Sequence, residues 1–261
     1  MSGRDDLYRH RESLPGSFRF DDAVVDVFPD MIDRSVPGYS LIVPMIGQLA
    51  RRYVQADSTV HDLGCSLGAV ILSIRSALLD REHLGSPRLV ATDNSGPMIS
   101  RLEERLGDLG IDTVSSDSPA EPRATGPLPI ELNLADIRDV AVDDASLVAL
   151  NFTLQFLDPA DRDELLQRVS SGLRPGGALI LAEKIRFEDS AVQERLTDWH
   201  HDYKRLQGYS ELEIARKRTA LEQVLLTETE AAHRDRLERV GFRRVTRWFQ
   251  CFGFCAWLAE R

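Results

Sequence analysis

The sequence predicts an α/β fold, in which helices cover a mostly parallel, doubly wound sheet. Short apolar segments with strand character alternate along the chain with longer amphipathic segments of helical character, which is typical of such sheets. A glycine-rich turn from Asp62 to Gly68 joins the first strand to the next helix. The 261 residues fit one domain with additions better than two full domains, so we expect a single domain over residues 1–261.

The predicted elements follow one another in a regular order. Residues 1–40 are predicted to form a lead-in that is irregular up to about residue 35 and ends in a turn at 37–40. A helix is predicted from 41 to about 53, because its apolar positions recur with the helical period. Five strands are predicted at 60–63, 88–93, 131–136, 145–152 and 177–183, with helices between them at about 70–80, 96–107 and 159–173.

Two segments interrupt this alternation. Residues 115–129 are rich in Ser, Pro, Ala and Gly, which predicts a surface loop. Residues 188–238 contain more helical sequence than a crossover between strands requires, so we predict a helical insertion that acts as a lid or as a partner interface. Residues 246–258 predict a closing pair of strands, with an antiparallel last strand.

Composition argues against several classes of protein. The net charge of −10 disfavours stable nucleic-acid binding, because phosphate contacts depend on Lys and Arg. The basic clusters at 204–205 and 216–218 are interleaved with acids and are interpreted as solvated helix faces. No apolar run approaches the ~20 residues of a membrane span, the N-terminal segment lacks a signal-peptide core, and three cysteines make no disulfide framework. We therefore expect a cytoplasmic protein without membrane contacts.

The glycine-rich turn favours one cofactor over another. A dinucleotide site requires Gly-x-Gly-x-x-Gly, so that a pyrophosphate can lie on the N-terminus of the helix. Here Ser66 occupies the middle glycine position, and Asp62 at the strand end would repel a pyrophosphate. An acid at that place suits a ligand with a cationic amino-acid end, such as S-adenosylmethionine.

Candidate ligand-binding residues follow the first four strands, and ligands of parallel sheets bind at these carboxyl ends. We predict that an acid after the second strand accepts both ribose hydroxyls, and that an acid and an apolar side chain after the third bind adenine. The residues are Gly64, Cys65 and Ser66 after the first strand, Asp93 and Asn94 after the second, Asp136 and Ile137 after the third, and Asn151 after the fourth.

Each of these features has a simpler explanation when it is taken alone. Asp93 and Asp136 could cap the helices that follow them, since Asp is a preferred N-cap residue. Their joint placement at successive strand ends is harder to explain by packing. No metal site is predicted, because Cys251 and Cys255 lack further ligands at zinc spacing and the neighbouring histidines of 200–201 lie on different helix faces.

Several stretches along nearly the whole chain resemble one family, the carboxy-S-adenosyl-L-methionine synthases of the class I S-adenosylmethionine-dependent methyltransferase superfamily. The resemblance implies the Rossmann-like class I methyltransferase fold with extra helices. Segment 115–129 is the main departure from the family pattern. The matching stretches are VFPDMI at 27–32, RSVPGYS at 34–40, DLGCSLGA at 62–69, NFTLQFL at 151–157, HHD at 200–202, GYSELEI at 208–214 and WFQCF at 248–252.

The resemblance also implies an activity. S-adenosyl-L-methionine and prephenate would give carboxy-S-adenosyl-L-methionine and phenylpyruvate, for the 5-oxyacetic acid modification of tRNA wobble uridine. The family's cofactor contacts map onto Tyr39, onto the strand-end residues named above and, by position, onto Arg218. Family members form homodimers, for which segment 188–238 is the candidate interface.

Arg218 best separates this function from ordinary methyl transfer, and it is the candidate catalytic residue. A guanidinium beside a cationic sulfonium is unfavourable unless the transferred carbon carries a carboxylate, which Arg binds bidentately. The alternatives are a surface arginine in a conventional methyltransferase that acts on tRNA or on a small molecule, or a non-catalytic cofactor-binding subunit. Whether Arg218 serves its own site or that of a second subunit is left open by the sequence.

Overall fold

A single eight-stranded sheet organises the chain. The computed structural model describes residues 3–9, 20–81, 84–115 and 128–261. The strands lie in the order β3-β4-β2-β1-β5-β6-β8-β7; β8 pairs antiparallel with both β6 and β7, and the other pairs are parallel. The strands are β1 (Thr59–Leu63), β2 (Arg88–Asp93), β3 (Thr113–Ser115), β4 (Ile130–Leu134), β5 (Ala145–Asn151), β6 (Leu173–Lys184), β7 (Arg244–Cys251) and β8 (Phe254–Glu260).

Helices cover both faces of the sheet. Side chains of α2, α3 and α4 pack on one face, and those of α5 and α8 pack on the other. Along β5 the buried side chains alternate between the two faces, as the pleat of a strand requires. The helices are α1 (Asp22–Ser35), α2 (Tyr39–Tyr53), α3 (Ala69–Leu78), α4 (Gly96–Asp108), α5 (Pro159–Gly172), α6 (Ser190–Leu206), α7 (Glu211–Leu221) and α8 (Glu230–Arg239).

The predicted parallel sheet, its five strands and the antiparallel closing pair are confirmed. Strand β1 lies between β2 and β5, so the strand order reverses beside β1. In a doubly wound sheet this reversal opens a crevice at the carboxyl ends of the strands. The glycine-rich turn after β1 and Asn151 at the end of β5 therefore lie at the same edge of the sheet.

The prediction of an irregular lead-in up to residue 35 was wrong, because residues Asp22–Ser35 form helix α1. The Asp21 side chain caps this helix by accepting a hydrogen bond from the Val24 backbone N–H. Pro29 lies inside it, where the missing N–H normally disfavours a helix. A buried stripe that includes Val24, Phe28 and Met31 outweighs that loss, since the three side chains recur at helical spacing.

Smaller differences concern strand boundaries. Strand β3 was not predicted, and its three residues pair only with the edge of β4. Strand β6 begins at Leu173, before the predicted start at residue 177, and Gly176 with φ +78° lies where its register against β5 shifts. Most of the predicted surface loop falls within 116–127, outside the described residues.

The predicted helical character of segment 188–238 is confirmed by α6, α7 and α8. Helix α7 begins with a capping box between Ser210 and Glu213, in which each side chain accepts from the other residue's backbone N–H. Helix α8 packs on the sheet through Leu237, whereas α6 and α7 approach the carboxyl ends of the strands. In the part of the chain that the structure describes, no helix has both the length and the apolar character of a membrane span.

Candidate active site

A cavity of about 360 Å³ lies at the carboxyl ends of the parallel strands. Its walls come from the ends of β1, β2, β5 and β6, the turn after β4, and helices α1, α2, α6 and α7. We call it the nucleoside cavity. The structure brings together here nine of the ten predicted site residues, namely Tyr39, Gly64, Cys65, Ser66, Asp93, Asn94, Asp136, Ile137 and Asn151.

The turn after β1 presents bare backbone to this cavity. Gly64 has φ +82°, and a Cβ atom there would lie 2.3 Å from Thr153 Cγ2, so no other residue fits without displacing Thr153. The backbone N–H groups of Gly64 and Cys65 both donate to the Thr92 carbonyl, at 2.8 and 2.9 Å. Burial raises the pKa of the Cys65 thiol, which keeps it protonated and unsuited to act as a nucleophile.

Asp93 is oriented by two backbone donors. Its carboxylate oxygens accept hydrogen bonds from the N–H groups of Ser66 and Ser95, each at 2.9 Å. Each oxygen retains a further lone pair for a ligand hydroxyl. The N-cap of α4 is Ser95, whose hydroxyl accepts from Met98 N, so the explanation of Asp93 as that cap is wrong.

Asp136 lies in a turn after β4, and no helix begins at this point of the described chain, so its explanation as a helix cap is also wrong. Its carboxylate accepts hydrogen bonds from the guanidinium and the backbone N–H of Arg138, which lower its pKa. Ile137 beside it is 6% exposed. The pair thus offers an acceptor for the amino group of an adenine and an apolar surface for its ring.

The remaining polar groups fit the amino-acid end of S-adenosylmethionine. Asn151 Oδ1 is buried and has no hydrogen-bond partner within the described ranges, which leaves an acceptor for a ligand donor. Asp62 is 1% exposed, accepts from Ile71 N at 3.0 Å, and has its pKa raised to about 7 by burial. An ammonium group nearby would restore the charged form of this carboxylate. Within the described ranges, no three His, Cys, Asp or Glu side chains are grouped as a metal site.

Arg218 does not line the nucleoside cavity. It is an exposed residue in the last turn of α7 and lines a second cavity of about 260 Å³. We call this the outer cavity. Lys184, His200 and Lys204 line both cavities, so the two spaces adjoin each other at these side chains. The structure therefore brings Arg218 close to the predicted site without including it among the nucleoside contacts.

Sequence reasoning missed the lysines of the site. The interpretation of Lys204 and Lys217 as solvated was wrong, because they are 8% and 5% exposed and both line the nucleoside cavity. Their neighbours Arg205 and Arg218 are exposed, as that interpretation expected. One signal was available: the chain has 32 basic residues, of which only Lys184, Lys204 and Lys217 are lysines, and all three line this cavity.

Solved structures with the same architecture define the class. The chain resembles magnesium protoporphyrin IX methyltransferase from Synechocystis, solved with bound SAH, at a TM-score of 0.57 and 14% identity over 95% of this chain and 90% of that one. It also resembles a putative S-adenosyl-L-methionine-dependent methyltransferase from Methanococcus maripaludis, at a TM-score of 0.55 and 15% identity over 95% and 96% of the two chains. The fold is that of the class I S-adenosylmethionine-dependent methyltransferases.

Sequence relatives define the family within this class. The chain is 49% identical to the carboxy-S-adenosyl-L-methionine synthase of Salmonella arizonae over 97% of its length and 95% of that protein. It is also 49% identical to the synthase of the same name from Klebsiella pneumoniae, over 100% and 98% of the two chains. No protein-family model matches. The chain belongs to the carboxy-S-adenosyl-L-methionine synthase family.

Proposed function

We propose that the protein is a carboxy-S-adenosyl-L-methionine synthase that uses S-adenosyl-L-methionine and prephenate as substrates. One observation carries the proposal: in a chain of this family, the nucleoside cavity adjoins an outer cavity that is lined by cationic side chains. A plain methyl donor brings its own positive charge and gains nothing from nearby cations. A carboxylate donor and a carboxylated product are both stabilised by them.

The reaction needs no external oxidant or reductant. Prephenate loses its ring carboxyl group as CO₂, the released electron pair makes the ring aromatic, and hydroxide leaves. The hydroxide removes a proton from the sulfonium methyl group, and that carbon forms a bond to CO₂. The products are carboxy-S-adenosyl-L-methionine, phenylpyruvate and water.

Individual residues have distinct roles in this proposal. Asp93 binds the ribose hydroxyls, Asp136 and Ile137 hold the adenine, and Asn151 accepts from the amino group of the methionine end. Tyr39, Asn94 and the turn of Gly64, Cys65 and Ser66 complete the wall around the nucleoside. Arg218, in the outer cavity, pairs with the carboxylate that the product gains.

We further propose that the protein is a cytoplasmic homodimer that supplies its product to a separate tRNA-modifying enzyme. The net charge of −10 supports a role in which the protein does not itself bind tRNA. Segment 188–238 carries exposed apolar side chains at Trp199, Leu206 and Leu212, which supports its use as the subunit interface.

A mass measurement tests the proposed reaction. Purified protein is incubated with S-adenosyl-L-methionine, with and without prephenate, and the mass of the nucleoside product is measured by mass spectrometry. We expect a product that is heavier by one carboxyl group only when prephenate is present, together with phenylpyruvate. Methylation of a tRNA or small-molecule acceptor without the heavier nucleoside would instead identify a methyltransferase. Cofactor binding without any turnover would identify a non-catalytic subunit.

A further inference from the structure

Six residues line both cavities and form the junction between them: the polar Lys184, His200 and Lys204, and the apolar Leu221, Leu225 and Phe254. Lys184 is the last residue of β6, while His200 and Lys204 lie one turn apart on α6, so the three polar side chains face the same space. None of the nine nucleoside-cavity residues predicted from the sequence lines the outer cavity. A ligand in the outer cavity therefore approaches the nucleoside cavity past this junction, whose polar side chains are Lys184, His200 and Lys204.

The two junction lysines have no direct counter-ion among the described residues. No described residue gives either ammonium group a hydrogen bond or an ion pair, and Lys184 Nζ lies 5.7 Å from the centre of the Phe254 ring. Lys217, the third lysine of the cavity, differs: its Nζ donates to Ser35 Oγ at 2.8 Å and lies 3.5 Å from Asp5 Oδ2. Lys217 thus has a direct counter-ion within the protein, and Lys184 and Lys204 do not.

The remaining groups at the junction do not supply the missing negative charge. His200 Nε2 lies 2.9 Å from the Ser35 carbonyl, to which it donates, and burial lowers its pKa to about 3, so it is neutral. Burial, with Lys217 and Lys184 nearby, lowers the pKa of Lys204 to about 7, and the Asp5 carboxylate, which lies beyond ion-pair distance, opposes only part of this shift. The outer cavity adds the cations Arg186 and Arg218 and a single acid, Glu222. Partly buried like charges without a directly paired anion are unfavourable unless a ligand supplies one.

We propose that Lys184 and Lys204 form an anion subsite that binds a carboxylate of the second substrate, a dicarboxylate whose body occupies the outer cavity. This inference rests on the proposed function and adds to it the place and the contacts of the carboxyl donor. The subsite orients the donor across the junction, so that the carbon it releases faces the nucleoside cavity. Lysine suits such a subsite because its compact ammonium group is a point charge with three donors that can turn toward a carboxylate.

The test combines binding and turnover in Lys184→Met and Lys204→Met. Methionine keeps the apolar stem and removes the charge, so the fold is retained. We expect the prephenate KM, and its dissociation constant from calorimetry, to rise about tenfold or more in each variant, because a charge-assisted contact is lost. The dissociation constant of S-adenosyl-L-methionine should change by less than about twofold. Arg205→Met removes the same charge from an exposed neighbour on α6 and should leave prephenate binding unchanged.

The outcomes separate this inference from the proposed function. Carboxylated product from the unsubstituted protein, with prephenate binding unchanged in both lysine variants, would overturn the subsite and leave the function standing. Prephenate binding that depends on the two lysines, without any carboxylated product, would support the subsite and overturn the function. An equal loss of S-adenosyl-L-methionine affinity would assign the lysines to the carboxylate of that substrate instead, and would overturn the inference.

Discussion

Two residues beside the nucleoside cavity have strained backbones. Ser66 has φ +47° and Phe152 has φ +59°, in the left-handed region that side chains other than glycine rarely adopt. Ser66 turns its N–H toward Asp93, and Phe152 follows Asn151 at the end of β5. The strain is located where backbone and side chains must face a ligand, which is where proteins commonly retain it.

At the residue scale, Arg218→Ala should distinguish the two nucleosides. We expect the variant to lose about 1.5–3 kcal/mol of binding free energy for carboxy-S-adenosyl-L-methionine, because a charge-assisted contact is removed. Binding of S-adenosyl-L-methionine should hardly change, since that ligand lacks the carboxylate. Calorimetry with both ligands measures the difference. Asp93→Ala is the matched comparison, and it should weaken both ligands alike because they share the ribose. Equal losses in Arg218→Ala would remove this arginine from the carboxylate role.

At the element scale, a buried ion network joins α5 and α8 to the segment between α7 and α8. The Glu228 carboxylate accepts from the guanidinium groups of Arg162 and Arg236, and Arg162 is 0% exposed. Arg162 also donates to the backbone carbonyls of Leu157 and Leu226. The network fixes the chain that returns from the helical segment to the sheet, and so it supports the position of α7 over the site.

Glu228→Gln should destabilise the protein by about 2–3 kcal/mol at neutral pH, because it removes the negative charge that pairs with two buried guanidinium groups. Burial by itself would raise the pKa of Glu228, but the hydrogen bonds from Arg236 and Arg162 lower this pKa to about 2, below its usual value. The stabilisation is therefore complete above about pH 4.5 and is lost as the pH falls toward 2. Urea unfolding across this pH range measures both effects.

Glu230→Gln is the matched control for that change. Its carboxylate pairs with Arg247 in a half-exposed ion pair, so its removal should cost less than about 1 kcal/mol. The network is not a main support of α8 if the two variants lose equal stability. The same conclusion follows if the difference between their free energies of unfolding persists at pH 2.

At the scale of the whole molecule, the distribution of lysines is uneven. The chain is acidic as a whole, yet its three lysines line one cavity. Large apolar side chains are exposed on α6 and α7, at Trp199 (48%), Leu206 (86%) and Leu212 (53%). These two helices therefore combine buried lysines that face the cavity with an outer surface on which three apolar side chains stand among charged ones, and this supports the proposed contact with a second subunit.

The proposed homodimer gives a prediction at this scale. Leu206→Glu combined with Leu212→Glu should convert the dimer to a monomer, because two charges would be buried in an apolar interface. Light scattering coupled to size-exclusion chromatography measures the mass. Leu109→Glu, at an exposed apolar position just after α4, should leave the dimer intact. A monomeric mass for the unsubstituted protein would exclude the homodimer, and an unchanged dimer in the double variant would exclude this interface.

The class of fold and most of the nucleoside cavity follow from the amino-acid sequence alone. Apolar periodicity separates the five strands from the helices, and the turn from Asp62 to Gly68 marks the first crossover. Because parallel strands bring their carboxyl ends to one edge, residues far apart in sequence, such as Asp93 and Asn151, can be assigned to one site from their positions in the chain. Family resemblance adds Tyr39 and Arg218.

Which charges are buried, and which segments form the cavity wall, depends on tertiary packing. Lys204 and Arg205 are neighbours in a charged sequence, and nothing local distinguishes the buried one, because burial depends on where α6 lies against the sheet. Helix α1 escaped prediction because its proline disfavours a helix locally, whereas its apolar stripe gains stability only when the rest of the fold packs against it. Local sequence sets hydrogen-bonding preference and periodicity, while burial and charge balance are properties of the assembled chain.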